Sequence, residues 1–391
     1  SNQSGVSQYG PDGTPLGTLV NSGGQSLGID CGPDGNLYGV FNAGGVKRFV
    51  GANGAFIDNF VPFGTGGLGD ANALTFGPDG NLYVVDVTNS AVLRFDGVTG
   101  APLRSALGAV GTAEFVPPGS NGLVNPNGLA FGPNGDLYVG NNPDVPAIDS
   151  VYRFSGLDGS FVEIFTENVF GCPTGSDSCL DAPFDPTFGP DGNLYVLSNR
   201  SDRILRYNGT TGDFIDFFID SPAGGLIAPQ GIGFGPDGNA YVADWTGTQG
   251  RIRKYDGATG AFISEIVPPG TGGLGDANFL LFVTDCNANG IPDECEEDSN
   301  GNGLPDACDM ADFPSFWTGN GDGFDWLDAA NWSPMRVPDN LPAGTPPESY
   351  FVTIGEPGGF SVDLFDPGIT IETLDIGSAV SLNTLALRHP L

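Results

Sequence analysis

The sequence holds one histidine, His389, in 391 residues. Everything before it is therefore without three-histidine zinc sites, Ser–His–Asp triads or a histidine general base. Cationic side chains are also scarce. Thirteen lysines and arginines face 47 aspartates and glutamates, a net charge of −34. Nucleic acid is excluded as a partner, because its binding runs through Lys and Arg contacts to phosphate. The acidity implies a soluble, self-repelling surface, or carboxylates placed to take up cations. No apolar run approaches the roughly 20 residues of a spanning helix, so no membrane span is expected. No 3.6-residue apolar period lasts long enough for a helical domain. No nucleophile–base pair, phosphate loop or cofactor fingerprint is present.

Glycine (64) and proline (32) are abundant, and they fall at fixed places. The phrase Gly77-Pro78-Asp79-Gly80-Asn81-Leu82-Tyr83-Val84 recurs from Gly32, Gly132, Gly189 and Gly235. Proline presets φ, Asp and Gly make the turn, and Leu-Tyr-Val starts a strand. An apolar run such as Ala73-Leu74-Thr75-Phe76 precedes each copy. A second phrase, Val92-Leu93-Arg94-Phe95-Asp96-Gly97, follows, with relatives from Val6, Val46, Val151, Ile204 and Ile252. Each unit thus has four short strands, A to D. Units roughly 45 to 57 residues apart fit the blades of a β-propeller.

Five whole blades are predicted, at about Gln25–Val61, Ala71–Leu107, Pro126–Phe165, Pro183–Ile219 and Pro229–Val267. Residues 1–9 match residues 198–207, which follow a B strand, so the chain is expected to open on strands C and D. Gly275-Asp276-Ala277-Asn278-Phe279 copies Gly69-Asp70-Ala71-Asn72-Ala73 and supplies a sixth A strand. The expectation is an all-β, six-bladed propeller over 1–284 with a split closing blade, which removes free sheet edges. One B strand is unaccounted for. Residues upstream of Ser1, or a strand from the C-terminal domain of this chain or a neighbour, would fill it. Insertion from a neighbour is strand addition and would build a filament.

The Pro-Asp-Gly-Asn-Leu-Tyr-Val and Val-x-Arg-Phe/Tyr-Asp-Gly phrases resemble NHL-repeat β-propellers over about 1–284. That resemblance implies the fold and leaves the function open. The A–B and C–D turns are short and uniform. The B–C and D–A loops read as variable, with long ones at 106–125, 141–150 and 166–182, and mark a binding face. Asp86, Asn141 and Asp244 follow strand B and are candidates for a channel calcium, as in lactonase-like propellers; the competing reading is a repeated turn position. Arg48, Arg94, Arg153, Arg206 and Lys254 share one C-strand position, with Gln8 in the first unit. They form either a positive ring or, more in keeping with a repeat, structural pairs.

At Asp285 the repeat stops. Asp285, Asn287, Asn289, Asp293 and Glu296 place oxygens at positions 1, 3, 5, 9 and 12 of a loop with Gly290 at the sixth. Asp298, Asn300, Asn302, Asp306 and Asp309 repeat it around Gly303, and Ile291 and Leu304 take the seventh, backbone-carbonyl position. Such loops supply the six to eight hard oxygens Ca2+ takes. Pro292 and Pro305 argue against EF-hand helices. The segment 285–310 resembles thrombospondin type 3 or dockerin-like calcium repeats. Of the six cysteines, Cys172 and Cys179 bracket a small polar loop, and a disulfide there predicts an oxidising compartment. Cys286, Cys295 and Cys308 imply one further bridge, and Cys31 either pairs with the remaining one or both stay free.

Residues 311–391 form a third part. Trp317, Trp326 and Trp332 cluster at its start, and Asp325-Trp326-Leu327-Asp328-Ala329-Ala330-Asn331-Trp332 resembles the opening of bacterial surface β-domains. Alternating runs at 351–354, 360–364 and 369–374 predict a β-solenoid start or a small β-sandwich. The tryptophans are a sugar-stacking platform or, more simply, a core or docking cluster. The chain also ends with no closing element, as if cut. The balance favours a secreted or cell-surface, calcium-stabilised binding or structural module, part of a filament or adhesin. Its partners would be other protein chains or surface glycans. The alternative is a calcium-dependent propeller hydrolase or lactonase.

Overall fold

The computed structural model describes residues 5–10, 12–21, 26–41, 44–51, 53–143, 149–166, 180–245, 249–275 and 277–282, with strands at 315–317, 332–333, 349–354 and 370–376. It divides into two compact units, Ser1–Glu296 and Glu297–Leu391.

In the first unit the repeat becomes five antiparallel four-stranded sheets. Strands β3 (Ser26–Cys31), β4 (Asn36–Phe41), β5 (Val46–Val50) and β6 (Phe56–Val61) make blade one. Blade two is β7 (Ala71–Phe76), β8 (Leu82–Asp86), β9 (Ala91–Phe95) and β10 (Glu114–Val116). Blades three to five follow as β11 (Pro126–Phe131) to β14 (Phe161–Ile164), β15 (Pro183–Phe188) to β18 (Phe214–Ile219), and β19 (Pro229–Phe234) to β22 (Phe262–Val267). Each sheet runs A-B-C-D in space as in sequence, because each strand turns back to pair antiparallel with the one before it. The A strands of consecutive blades lie against one another, β3 on β7, β7 on β11, β11 on β15 and β15 on β19. They therefore ring a common axis. The arrangement is a β-propeller.

Strands β1 (Gly5–Tyr9) and β2 (Pro15–Asn21) form a separate two-stranded sheet. Repeated contacts place them in a sixth blade. In every C–D turn one glycine, at φ between 66 and 80°, lies over a carbonyl of the preceding blade's D strand. Gly54 lies on Leu19, Gly100 on Phe60, Gly159 on Phe115, Gly212 on Phe165, Gly260 on Phe218 and Gly13 on Ile266. A Cβ there would come within 1.7 to 2.3 Å of the oxygen, so only glycine fits. Read round the ring, these six contacts close on themselves.

The sixth A position is held by residues 277–282. Gly231 approaches Asn278 and Phe279 as Gly28 approaches Asn72 and Ala73, and Phe282 stacks on Tyr241 at 4.7 Å as Phe76 does on Tyr38 at 4.8 Å. The sequence predicts a strand here, and the structure corrects that: 277–282 is irregular. A strand needs a hydrogen-bonded neighbour, and no B strand stands beside it among the described residues.

Blade two also differs from expectation. Its D strand is not the run from Ala101 to Leu107. Pro102 makes a single bridge to Phe95, the chain leaves the sheet, and Glu114–Val116 returns to pair with Val92 and Leu93. Arg104 holds the excursion by donating to the Ser105 and Gly108 carbonyls.

The core lies between blades. In blades one to four the B-strand tyrosine meets the last aromatic of the next A strand edge-on, as in Tyr83 with Phe131 and Tyr195 with Phe234, both at 4.8 Å. In blades one to four it also meets a D-strand phenylalanine of its own blade, such as Phe60 or Phe218. Edge-to-face pairs of this kind add to area burial.

In the second unit β23 (Ser315–Trp317), β24 (Trp332–Ser333), β25 (Ser349–Ile354) and β26 (Thr370–Ile376) form one sheet in the order β24-β23-β25-β26. The β23–β25 and β25–β26 pairs are parallel.

Candidate functional site

The calcium-loop positions from Asp285 to Asp309, with Cys172, Cys179, Cys286, Cys295 and Cys308, lie outside the described residues. Cys31 is disulfide-bonded to a partner outside them.

The residues following strand B do not converge on the axis. Each reaches seventeen residues upstream to hold the loop entering its own blade. Asp86 accepts from the Gly69 N–H at 2.7 Å, Asn141 from Val124 at 2.7 Å, Ser198 from Asp181 at 2.7 Å and Asp244 from Ile227 at 3.1 Å. All four are buried. Asp86 takes two more bonds from Asn89, to its amide and its side chain. Asp244 is bridged by Arg251 at 2.6 Å and by Arg253 at 3.2 Å, so its charge is neutralised in place. Of the two sequence readings, the repeated turn position describes them. Among the described residues no three His, Cys, Asp or Glu side chains are grouped to hold a metal.

The cationic C-strand position likewise forms no open ring. Arg48 pairs with Asp58 at 2.6 Å, Arg153 with Asp136 at 2.7 Å and Glu163 at 2.9 Å, and Lys254 with Asp237 at 2.6 Å. Arg206 bonds Asp216, and Arg94 donates to the Leu103 carbonyl. The acidic partners of Arg48, Arg153, Arg206 and Lys254 stand on the neighbouring strand or in the A–B turn of the same blade.

Two carboxyls between A strands were not singled out by the sequence. Asp30, on β3, accepts from the Phe76 N–H at 3.0 Å, the Thr75 hydroxyl at 3.1 Å and the Cys31 N–H at 2.9 Å. Burial pushes its pKa up to about 6 against those donors. Asp185, on β15, accepts from the Ile232 N–H at 2.9 Å, and burial pushes it up to about 7. Both residues keep some accessible surface, but their carboxyl groups are shut away from bulk water and no cation pairs with either among the described residues. Each bonds the A strand of the following blade, so Asp30 ties blade one to two and Asp185 ties four to five. The signal was an acidic residue inside an otherwise apolar strand.

Phe279, on the sixth A segment, packs against the cluster of blades two and three that contains Ala73 and Leu129. It thus brings the sixth A segment into contact with the inner strands of blades two and three.

The loop face is more regular than its sequence suggests. Four D–A loops carry the same tight turn, at Thr65–Gly67, Ser120–Gly122, Ala223–Gly225 and Thr271–Gly273. Each is followed by a leucine, and Leu68, Leu123 and Leu226 are wholly buried. The Val-Pro-x-Gly-x-x-Gly-Leu spacing at 61–68, 116–123 and 267–274 was the available signal. Variation is confined to the remaining loops.

The chain matches no protein-family model and no curated protein. Among solved structures it is similar to virginiamycin B lyase from Staphylococcus aureus, at 21% identity over 64% of this chain and 72% of that one, TM-score 0.39. It is similar to the calcium-binding protein regucalcin from Agrobacterium tumefaciens, at 19% identity over 63% and 73%, TM-score 0.44. It is also similar to a chain of a nidogen/laminin complex, at 17% identity over 68% and 92%, TM-score 0.49. The propeller assignment rests on the blade contacts above. No helix among the described residues is long and apolar enough to cross a membrane.

Proposed function

We propose that the chain acts outside the cell as a calcium-stabilised binding and assembly module. The propeller is the rigid frame and its loop face is the contact surface. The observation that carries this reading is the axis itself. The repeated polar side chains at the ends of the B strands are engaged within their own blades, and Phe279 packs onto blades two and three. The firmly held loop face has its long connections at 141–150 and 166–182, which supply the variation. The acidic loops from Asp285 to Asp309 and the net charge of −34 support calcium as the stabilising ion. Partners of such a face are other protein chains or surface glycans.

Calorimetric titration of the intact chain tests the calcium part. Uptake stronger for calcium than for magnesium is expected, with loss of Glu296→Gln and Asp309→Asn binding in proportion to the ligands removed. No uptake at millimolar calcium overturns it.

A second reading is a calcium-dependent hydrolase or lactonase, favoured by Asp30 and Asp185. Buried carboxyls with raised pKa values between the inner strands suit acid–base work. Turnover of a lactone or ester panel that disappears in Asp30→Asn and Asp185→Asn, with the fold retained, would replace the first reading by this one.

A further inference from the structure

We propose that the blade-two excursion and the turn beside it form a self-association surface, through which two copies of the chain join about a two-fold axis. The excursion opens on Arg104 and returns on Glu114, and residues 105–113 between them carry no charge. At its tip Val110 is 89% and Leu107 55% exposed. Its root is buried at Ser105 and Ala113, and the Ala113 N–H donates to the Gly66 carbonyl at 2.8 Å. That bond joins it to the turn after blade one, residues 62–67, which is also uncharged and holds Phe63 66% exposed. The two stretches make one uncharged, apolar patch at the seam between blades one and two. Contiguous patches of this kind mark protein–protein contacts.

The patch is built before any partner arrives. The Glu114 carboxylate accepts from the Ala109 N–H at 2.8 Å, and the Thr112 hydroxyl donates to the Ala109 carbonyl at 2.8 Å. Arg104 clamps the first half through the Ser105 and Gly108 carbonyls. A loop already held in shape loses little freedom on binding. Its form is a knob beside a low platform. Nothing lies within 4 Å of a Cβ placed on Gly64 or Gly67, so the turn offers bare backbone. A knob next to a platform is self-complementary under a two-fold axis, because the tip of each copy then lies on the turn of the other.

Charge selects a second copy as the occupant. Exposed apolar residues on other D strands stand next to carboxylates, Ile57 beside Asp58, Val162 beside Glu163 and Ile215 beside Asp216. Those rims repel another acidic chain. The excursion has charges only at its two ends. Arg104 is exposed and, alone among the described arginines, has no carboxylate partner. An unpaired guanidinium beside an apolar knob fits a partner that is itself acidic, and this chain carries −34. Across the two-fold axis Arg104 of each copy faces Glu114 of the other, so one relation supplies the apolar contact and both ion pairs. The inference rests on the reading of the chain as an assembly module and gives that module one partner and one surface.

Sedimentation equilibrium of the intact chain tests it. A reversible dimer is expected. Val110→Asp should weaken that dimer about tenfold or more with thermal melting unchanged, because the side chain stands in solvent. Ile215→Asp, on the rim of blade four, should leave it as it is. A chain that stays monomeric up to about 1 mM overturns the proposal. So does a dimer that Val110→Asp leaves unchanged, or one that Ile215→Asp weakens equally, since added negative charge alone then explains the loss. A monomer that still takes up calcium overturns this inference and leaves the calcium-stabilised module standing. A dimer with the expected Val110→Asp loss but no calcium uptake upholds it and overturns the calcium part of that reading.

Discussion

Asp86 is wholly buried and accepts three hydrogen bonds, one of them from a loop seventeen residues away. Replacing it by alanine leaves the Gly69 N–H and the Asn89 amide without their acceptor. Chemical denaturation of Asp86→Ala should show a loss of about 2–4 kcal/mol. Asp30 and Asp185 give the opposite kind of prediction. Their folded pKa values, about 6 and about 7, stand above the ordinary carboxyl value. Their contribution is complete below roughly pH 4 and is lost as pH rises through those two values. The turn carboxylates Asp96 and Asp256 work the other way. Hydrogen bonds from Thr99 and Thr259 hold them below the usual range, so their contribution fades in acid. Thermal melting across pH should therefore peak between about pH 4 and 6. Asp30→Asn and Asp185→Asn should flatten the alkaline side, and an unchanged profile would contradict the assignment. The repeat made Asp86, Asn141 and Asp244 visible as one position, but not their donors. Those amides lie in loops that carry no strand pattern, and only the constant seventeen-residue spacing links them to their acceptors.

At the scale of elements, the turns separate two uses of glycine. Gly80 and Gly100 both have positive φ, 73 and 69°. Nothing lies within 4 Å of a Cβ on Gly80, while one on Gly100 would sit 2.3 Å from the Phe60 carbonyl oxygen. Gly80→Ala should cost only the backbone term, about 1 kcal/mol. Gly100→Ala must also push two blades apart and should cost about 2 kcal/mol more. Equal losses would mean that the seam is softer than described. The strands themselves were legible, because alternation and turn residues are local properties. The blade-two excursion was not, since nothing local to Pro102 tells the chain to leave the sheet and return at Glu114. The sixth A segment shows the same limit from the other side. Its sequence copies a strand, yet strand structure depends on a neighbour that sequence similarity does not supply.

For the whole molecule, the account depends on closure. The six-bladed count was legible because the last A segment repeats the first lines of other blades. Contacts between blades were not, since they join residues far apart in sequence, as in Tyr9 donating to the Thr271 carbonyl. Leu16, Ile57, Val162, Ile215 and Ile263 occupy one repeat position on the D strands and are all exposed at the rim. Spin labels at pairs of these sites measure closure directly. The account predicts nearly equal distances for Ile215–Ile263, Ile263–Leu16 and Leu16–Ile57, because each pair spans one seam of a six-membered ring, and a much longer distance for Leu16–Val162 across it. A Leu16 label far from either Ile263 or Ile57 would contradict the closed ring.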